Sequence, residues 1–124
     1  MANLYLQMIE NAKKLPAAYQ AIGTRSQTLT DTGSGRTFTG WEICQYLYKM
    51  NEDGNEWWSN DFRLFVDTSG SLWNVELSEQ YDPYPTPTRT SGVRLGMVDA
   101  ERLRMWHTNG WDFEKMKLSI EAMI

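Results

Sequence analysis

The sequence predicts an α+β domain in which a small antiparallel sheet, built around a central hairpin at about 62–77, is packed by three to four helices. Two apolar-alternating runs, 62–67 and 71–77, flank a Thr68-Ser69-Gly70 turn, the pattern of a hairpin. Helical spacing of apolar residues marks both ends of the chain, and helices do not alternate strictly with strands, which argues against a doubly wound parallel sheet.

Taken in order, Leu4, Met8, Ile9, Ala12 and Leu15 recur at helical spacing behind Asn3, a good N-cap, and predict a helix over about 4–14. Pro16 interrupts it, opening a short second helical piece that Gly23 stops. The stretch "TLTDTGSGRTFTG" reads as a weak hairpin or loop around a Gly-rich centre. Thr39-Gly40-Trp41-Glu42 fits a capping box, so a third helix is expected from Thr39, burying Trp41, Cys44, Leu47 and Tyr48 and ending at the turn formers 51–56. After the central hairpin, "YDPYPTPTRTSG" has three prolines spaced by two and reads as an extended surface loop. "VRLGM" returns as a strand. Asp99 then caps a helix to about His107, and Asp112 caps a last one with Phe113, Met116, Ile120, Met123 and Ile124 as its buried stripe.

A chain of 124 residues fits one domain, 1–124, and its six Trp, six Tyr, four Phe and seven Met suffice for a core without metal or disulfide. The single cysteine, Cys44, has no intramolecular disulfide partner, and the single histidine, His107, removes sites that need two imidazoles. No metal or cofactor is therefore expected. The N-terminal "MANLYLQMIENAKKL" does not resemble a secretory signal, and no apolar run is long enough to span a membrane, so a soluble cytoplasmic protein is expected. A net charge of −4 argues against direct binding to nucleic acid, whose backbone is met by basic surfaces.

Candidate chemistry is sparse. Asp31-Thr32-Gly33 resembles the catalytic turn of an aspartic protease, but the residues before it, Gln27-Thr28-Leu29-Thr30, are mostly polar, whereas two carboxylates sharing a proton need an apolar setting. The tripeptide is better read as a turn, in which Asp31→Asn leaves the fold nearly intact. The Gly-rich loop lacks the Lys-Ser/Thr ending of a P-loop. Cys44 reads as a core residue and His107 as a helix-end residue that favours the C-terminal dipole, not as a nucleophilic pair. No catalytic residue is assigned.

The charge map is more informative. Between residues 52 and 82, eight acids (Glu52, Asp53, Glu56, Asp61, Asp67, Glu76, Glu79, Asp82) face Arg63 alone, a balance of −7; the remaining eight acids and eleven bases give +3. Trp57, Trp58, Trp73, Tyr81 and Tyr84 accompany them, and such aromatics anchor protein interfaces. The candidate partner-binding residues are Glu52, Asp53, Glu56, Trp57, Trp58, Asp61, Glu76, Glu79, Tyr81, Asp82 and Tyr84, with the acids before and after the hairpin brought together by its turn. In size, acidity and a segment such as "NEDGNEWWSNDFRLFVD", the chain resembles the small accessory proteins of phages and mobile elements, among them anti-CRISPR inhibitors. That resemblance implies a non-catalytic inhibitor that blocks the basic, nucleic-acid-binding groove of a host defence nuclease. The alternative is a binder of sugars or other small ligands on exposed Trp and Tyr, and the third reading is a cryptic hydrolase.

Overall fold

Five antiparallel strands, each joined to the next in sequence, form the body of the structure, a computed structural model that describes residues 3–110 and 113–124. Two helices, α1 (Leu4–Ala12) and α2 (Leu15–Ala21), precede the strands β1 (Gln27–Thr30), β2 (Thr37–Asp53), β3 (Glu56–Asp67), β4 (Leu72–Asp82) and β5 (Thr88–Met97). Helices α3 (Ala100–Thr108) and α4 (Phe113–Glu121) close the chain. The sheet order β1-β2-β3-β4-β5 is a plain meander. The α+β class holds, but five strands replace the small sheet expected around a single hairpin.

Local chemistry accounts for the helices. The Asn3 side chain accepts from the amides of Tyr5 and Leu6 at 2.9 and 3.3 Å, capping α1, and Pro16 occupies the first turn of α2, where its missing N–H costs nothing. Asp99 caps α3 by accepting from the Arg102 amide at 2.8 Å. The cap expected at Asp112 lies outside the described residues. Helix α4 buries Phe113, Met116 and Ile120, while Ile124, expected in the same stripe, is exposed.

The helix expected from Thr39 is instead strand β2. Its pairing with β3 slips between Glu42 and Cys44 and again between Gln45 and Leu47, and each extra residue resets the two-residue alternation. Trp41, Cys44 and Leu47, which pack on the same core, therefore fall three residues apart and imitate a helical stripe. The supposed capping box is undone side chain by side chain. Thr39 Oγ1 lies 2.9 Å from Thr28 Oγ1 across the β1–β2 pair, and Glu42 accepts from Arg63 Nη1 at 2.6 Å. The turn formers do end the element, by closing a hairpin: Asp53 pairs with Glu56 around Gly54-Asn55, with Gly54 at φ 64.

The β3–β4 hairpin was legible, and both arms run further than expected, to Glu56 and to Asp82. Residues 83–87 alone form the proline connector; the Thr88–Gly92 part of the expected loop belongs to β5. All three prolines fall inside the connector, where no ladder donor is needed.

Alternation along β3 separates two cores. Leu64 and Val66 face the helices, against Met8, Leu15, Leu103, Met116 and Ile120. Phe65 faces the other way and packs with Phe38 and Val75. Among the described residues this second cluster is formed by strand residues alone, beside which the two sheet edges approach each other. Leu29 of one edge strand and Val93 and Leu95 of the other pack on the same cluster. The edges are tied where the Thr32 amide donates to Val93 O at 2.8 Å, the Val93 amide to Thr32 Oγ1 at 2.8 Å, and the Leu95 amide to Asp31 Oδ2 at 2.9 Å.

Candidate interaction surface

Beyond Leu47 the β2 strand leaves the core, and every residue from Tyr48 to Asp53 is exposed. The β2–β3 hairpin thus ends in an exposed tip. Glu52 pairs with Trp57 and Asp53 with Glu56, while Trp57 also pairs with Tyr81 on its other side, so Asp82 and Tyr84 lie beside the same tip. The structure brings Glu52, Asp53, Glu56, Trp57, Trp58 and Tyr81 together at the tip, with Asp82 next along β4 and Tyr84 in the connector, its amide donating to Asp82 Oδ1 at 3.0 Å. The acids expected on a loop before the hairpin are on paired strands, because the segment thought to be a helix is itself a hairpin arm.

The aromatic pair at the tip divides its work. Trp57 stacks on Tyr81 with ring centroids 6.4 Å apart, and the Arg89 guanidinium sits 5.3 Å from its ring centroid. Trp58, on the opposite face of the pleat, is 40% exposed, and Tyr84 is 71% exposed. Tyr48 and Met50 are exposed on the same hairpin; the helical reading placed Tyr48 in a buried stripe, so this contribution was missed.

The remaining candidate acids sit elsewhere. Asp61 accepts from Arg63 Nε and Nη2 at 3.0 and 2.7 Å and from Gln45 Nε2 at 2.7 Å. With Glu42, it holds the Arg63 guanidinium above its usual pKa, against the effect of desolvation. Glu76, in mid-strand, lies 3.9 Å from Arg94, and Glu79 lies 3.6 Å from Arg89. Asp67 is structural. Partial burial works to raise its pKa, but bonds from Ser69, Trp73 and the Ser71 amide prevail and hold it below the ordinary carboxylate value. Among the described residues, Glu52, Asp53, Glu56 and Asp82 take part in no ion pair.

Asp31 is bound into the fold by several amides, a placement that weighs against the expectation that its replacement by Asn leaves the fold nearly intact. Its carboxylate accepts from the amides of Leu95, Ser34 and Gly33, each at 2.9 Å, and these bonds, that from Leu95 foremost, pull its pKa to about 2. The turn is held by its own side chain and tied to β5. His107 stacks on Phe113 with centroids 4.2 Å apart and offers Nδ1 to the Tyr5 hydroxyl at 3.0 Å, while Cys44 is buried on β2. Among the described residues, no group of three His, Cys, Asp or Glu side chains is placed to hold a metal, and no helix is long and apolar enough to cross a membrane.

No family model, curated protein or solved structure matches the chain.

Proposed function

We propose that the protein is a non-catalytic binding module of the anti-CRISPR kind, whose exposed β2–β3 tip enters a basic, nucleic-acid-binding groove of a partner such as a defence nuclease and blocks it. The observation that carries this reading is the sorting of the acids. Asp61 and Asp67 are bound into the fold and Glu76 and Glu79 lie beside arginines, but Glu52, Asp53, Glu56 and Asp82 are gathered at one end beside Trp58 and Tyr84. Unpaired charges on a paired, preorganised hairpin add their fields, which speeds encounter with a basic surface and excludes acidic ones. Exposed aromatics at the same end supply the desolvated anchor that charges alone do not.

The test compares the wild type with the triple variant E52K/D53K/E56K as immobilised baits for a bacterial lysate, followed by kinetics on the captured protein. The expected partner is a basic nucleic-acid-binding protein that is competed off by duplex DNA, with an association rate at low salt slowed tenfold or more by the triple variant, an order of magnitude typical of electrostatic steering. A partner whose association is insensitive to both the triple variant and added DNA would overturn the proposal.

A further inference from the structure

A second surface lies on the outer face of β3, β4 and β5, beside the region that the helices cover. The ladder sets its residues in rows: Trp58, Gln80 and Thr90 in one, and Asn60, Ser78 and Gly92 in the next. The third row places Glu76 beside Arg94. Two adjoining hollows, of about 420 and 380 Å³, share Asn60, Ser78 and Gly92 as their common floor. The Asp31–Gly33 turn walls the first hollow, and Trp58 stands in the second.

The trough exists because of a glycine. A Cβ at position 92 would stand 3.0 Å from Ser78 Oγ and 3.7 Å from Thr32 Oγ1, so any side chain there fills the floor. Glycine in a strand interior weakens it, and is found where another group approaches the backbone closely. The lining has a definite chemistry. Asn60 and Gln80 offer both donors and acceptors, as do the hydroxyls of Ser78 and Thr90, and sugar hydroxyls have that same dual character. Trp58 presents an exposed indole for the apolar face of a ring. The charged lining residues are Asp31, Glu76 and Glu79 against Arg94, a net negative balance, and the Asp31 carboxylate is occupied by backbone amides. An anionic ligand therefore gains nothing. From the Trp58 row to the Glu76–Arg94 row the trough spans roughly 13 Å at strand rise, longer than one sugar ring.

We infer that this trough is a binding site for a neutral oligosaccharide, stacked on Trp58 and hydrogen-bonded along Asn60, Ser78 and Gln80. The site adjoins the acidic tip, whose own hollow has Trp58 and Gln80 in its lining beside Asp53 and Glu56. The test is an amide-shift titration of the labelled protein with maltohexaose, cellohexaose, mannohexaose and N-acetylchitohexaose, and with a sulfated oligosaccharide as the charged control. At least one neutral probe is expected to give saturable shifts at Trp58, Asn60, Ser78 and Gly92. Gly92→Val should weaken that binding tenfold or more while the amide spectrum keeps its folded pattern, and Glu52→Lys, level with Trp57 on the opposite face of the hairpin from Trp58, should leave it unchanged. Asn60→Ala, a truncation of one lining side chain, repeats the test should valine disturb the β4–β5 pairing. Absence of saturable shifts with every neutral probe, preference for the sulfated one, or binding that survives both Gly92→Val and Asn60→Ala would overturn the inference, whatever the fate of the tip.

Discussion

Gly40→Ala separates two accounts of the same segment by the sign of its effect. Were residues 39–50 a helix, alanine at its start would stabilise the protein by up to about 1 kcal/mol, since glycine is the poorer helix former. In the structure Gly40 is buried on β2 opposite Asp67, and an added Cβ would stand 2.1 Å from Val66 O, 2.8 Å from Phe38 Cζ and 2.9 Å from Asp67 Cα. Two of those three neighbours are backbone, so no side-chain rotation relieves the overlap; β2 and β3 must separate by about an ångström at the point where both cores meet. Overpacking of this kind costs about 1–3 kcal/mol, and backbone collision puts this case at the upper end or beyond. Against a total stability of roughly 5–15 kcal/mol, about 3 kcal/mol is a large loss, and it lowers Tm by on the order of 10 °C. Urea titration followed by tryptophan fluorescence measures it. An unchanged or raised midpoint would refute the strand assignment and the packing drawn from it.

Thr39→Ala tests the same correction more gently: the exposed cross-strand contact with Thr28 is worth a few tenths of a kcal/mol, not the roughly 1 kcal/mol of a helix cap, and denaturant midpoints distinguish the two. Asp31→Asn removes the charged acceptor that ties the turn to β5. Because the folded-state pKa, about 2, lies below that of the unfolded chain, the stabilisation is fully present above the unfolded value near 4 and fades as pH falls toward 2. Acid titration should show a wild-type advantage above about pH 4 that narrows in that window; equal stability at neutral pH would refute the role of the tie. Asp67→Ala strips acceptors from Trp73 Nε1 and from the Ser69 and Ser71 amides, and is expected to cost about 1–3 kcal/mol in thermal or chemical melts, with no effect on association at the tip.

Where one rule governed a segment, the sequence was sufficient. Asn3, Pro16 and Asp99 do at the helix starts what their chemistry predicts, and the alternation from Phe62 to Leu77 marked the β3–β4 pair. The failure at β2 has a specific cause. Two register slips in one strand convert a spacing of two into a spacing of three, which also marks the face of a helix. That one error hid the hairpin tip, put Tyr48 in a core it never enters, and made the tip acids look like loop residues. The trough was illegible for another reason. Its lining comes from three strands at matching register, Asn60, Ser78 and Gly92 being far apart in sequence, and only the ladder sets them side by side.

The acidic segment is best understood as two populations that sequence order mixes and the sheet separates. Asp67 and Asp61 lie toward the closed end, where desolvation makes an unpaired carboxylate costly, and each is bound by several donors. Glu52, Asp53 and Glu56 lie at the open end, where water removes that cost and nothing in the fold requires a charge. Three acids within five residues on a closed two-residue turn repel one another, which weakens the hairpin slightly and gives the fold no return. Strand pairing of Trp57 with Tyr81, their stacking contact and the Arg89 guanidinium against the Trp57 ring tie this end to β4 and β5, and under the proposed function such ties spare a partner part of the ordering cost of binding. Under the proposed function the tip acids meet the partner, and the separation of the two populations makes it possible to alter them without touching the carboxylates that the fold itself binds.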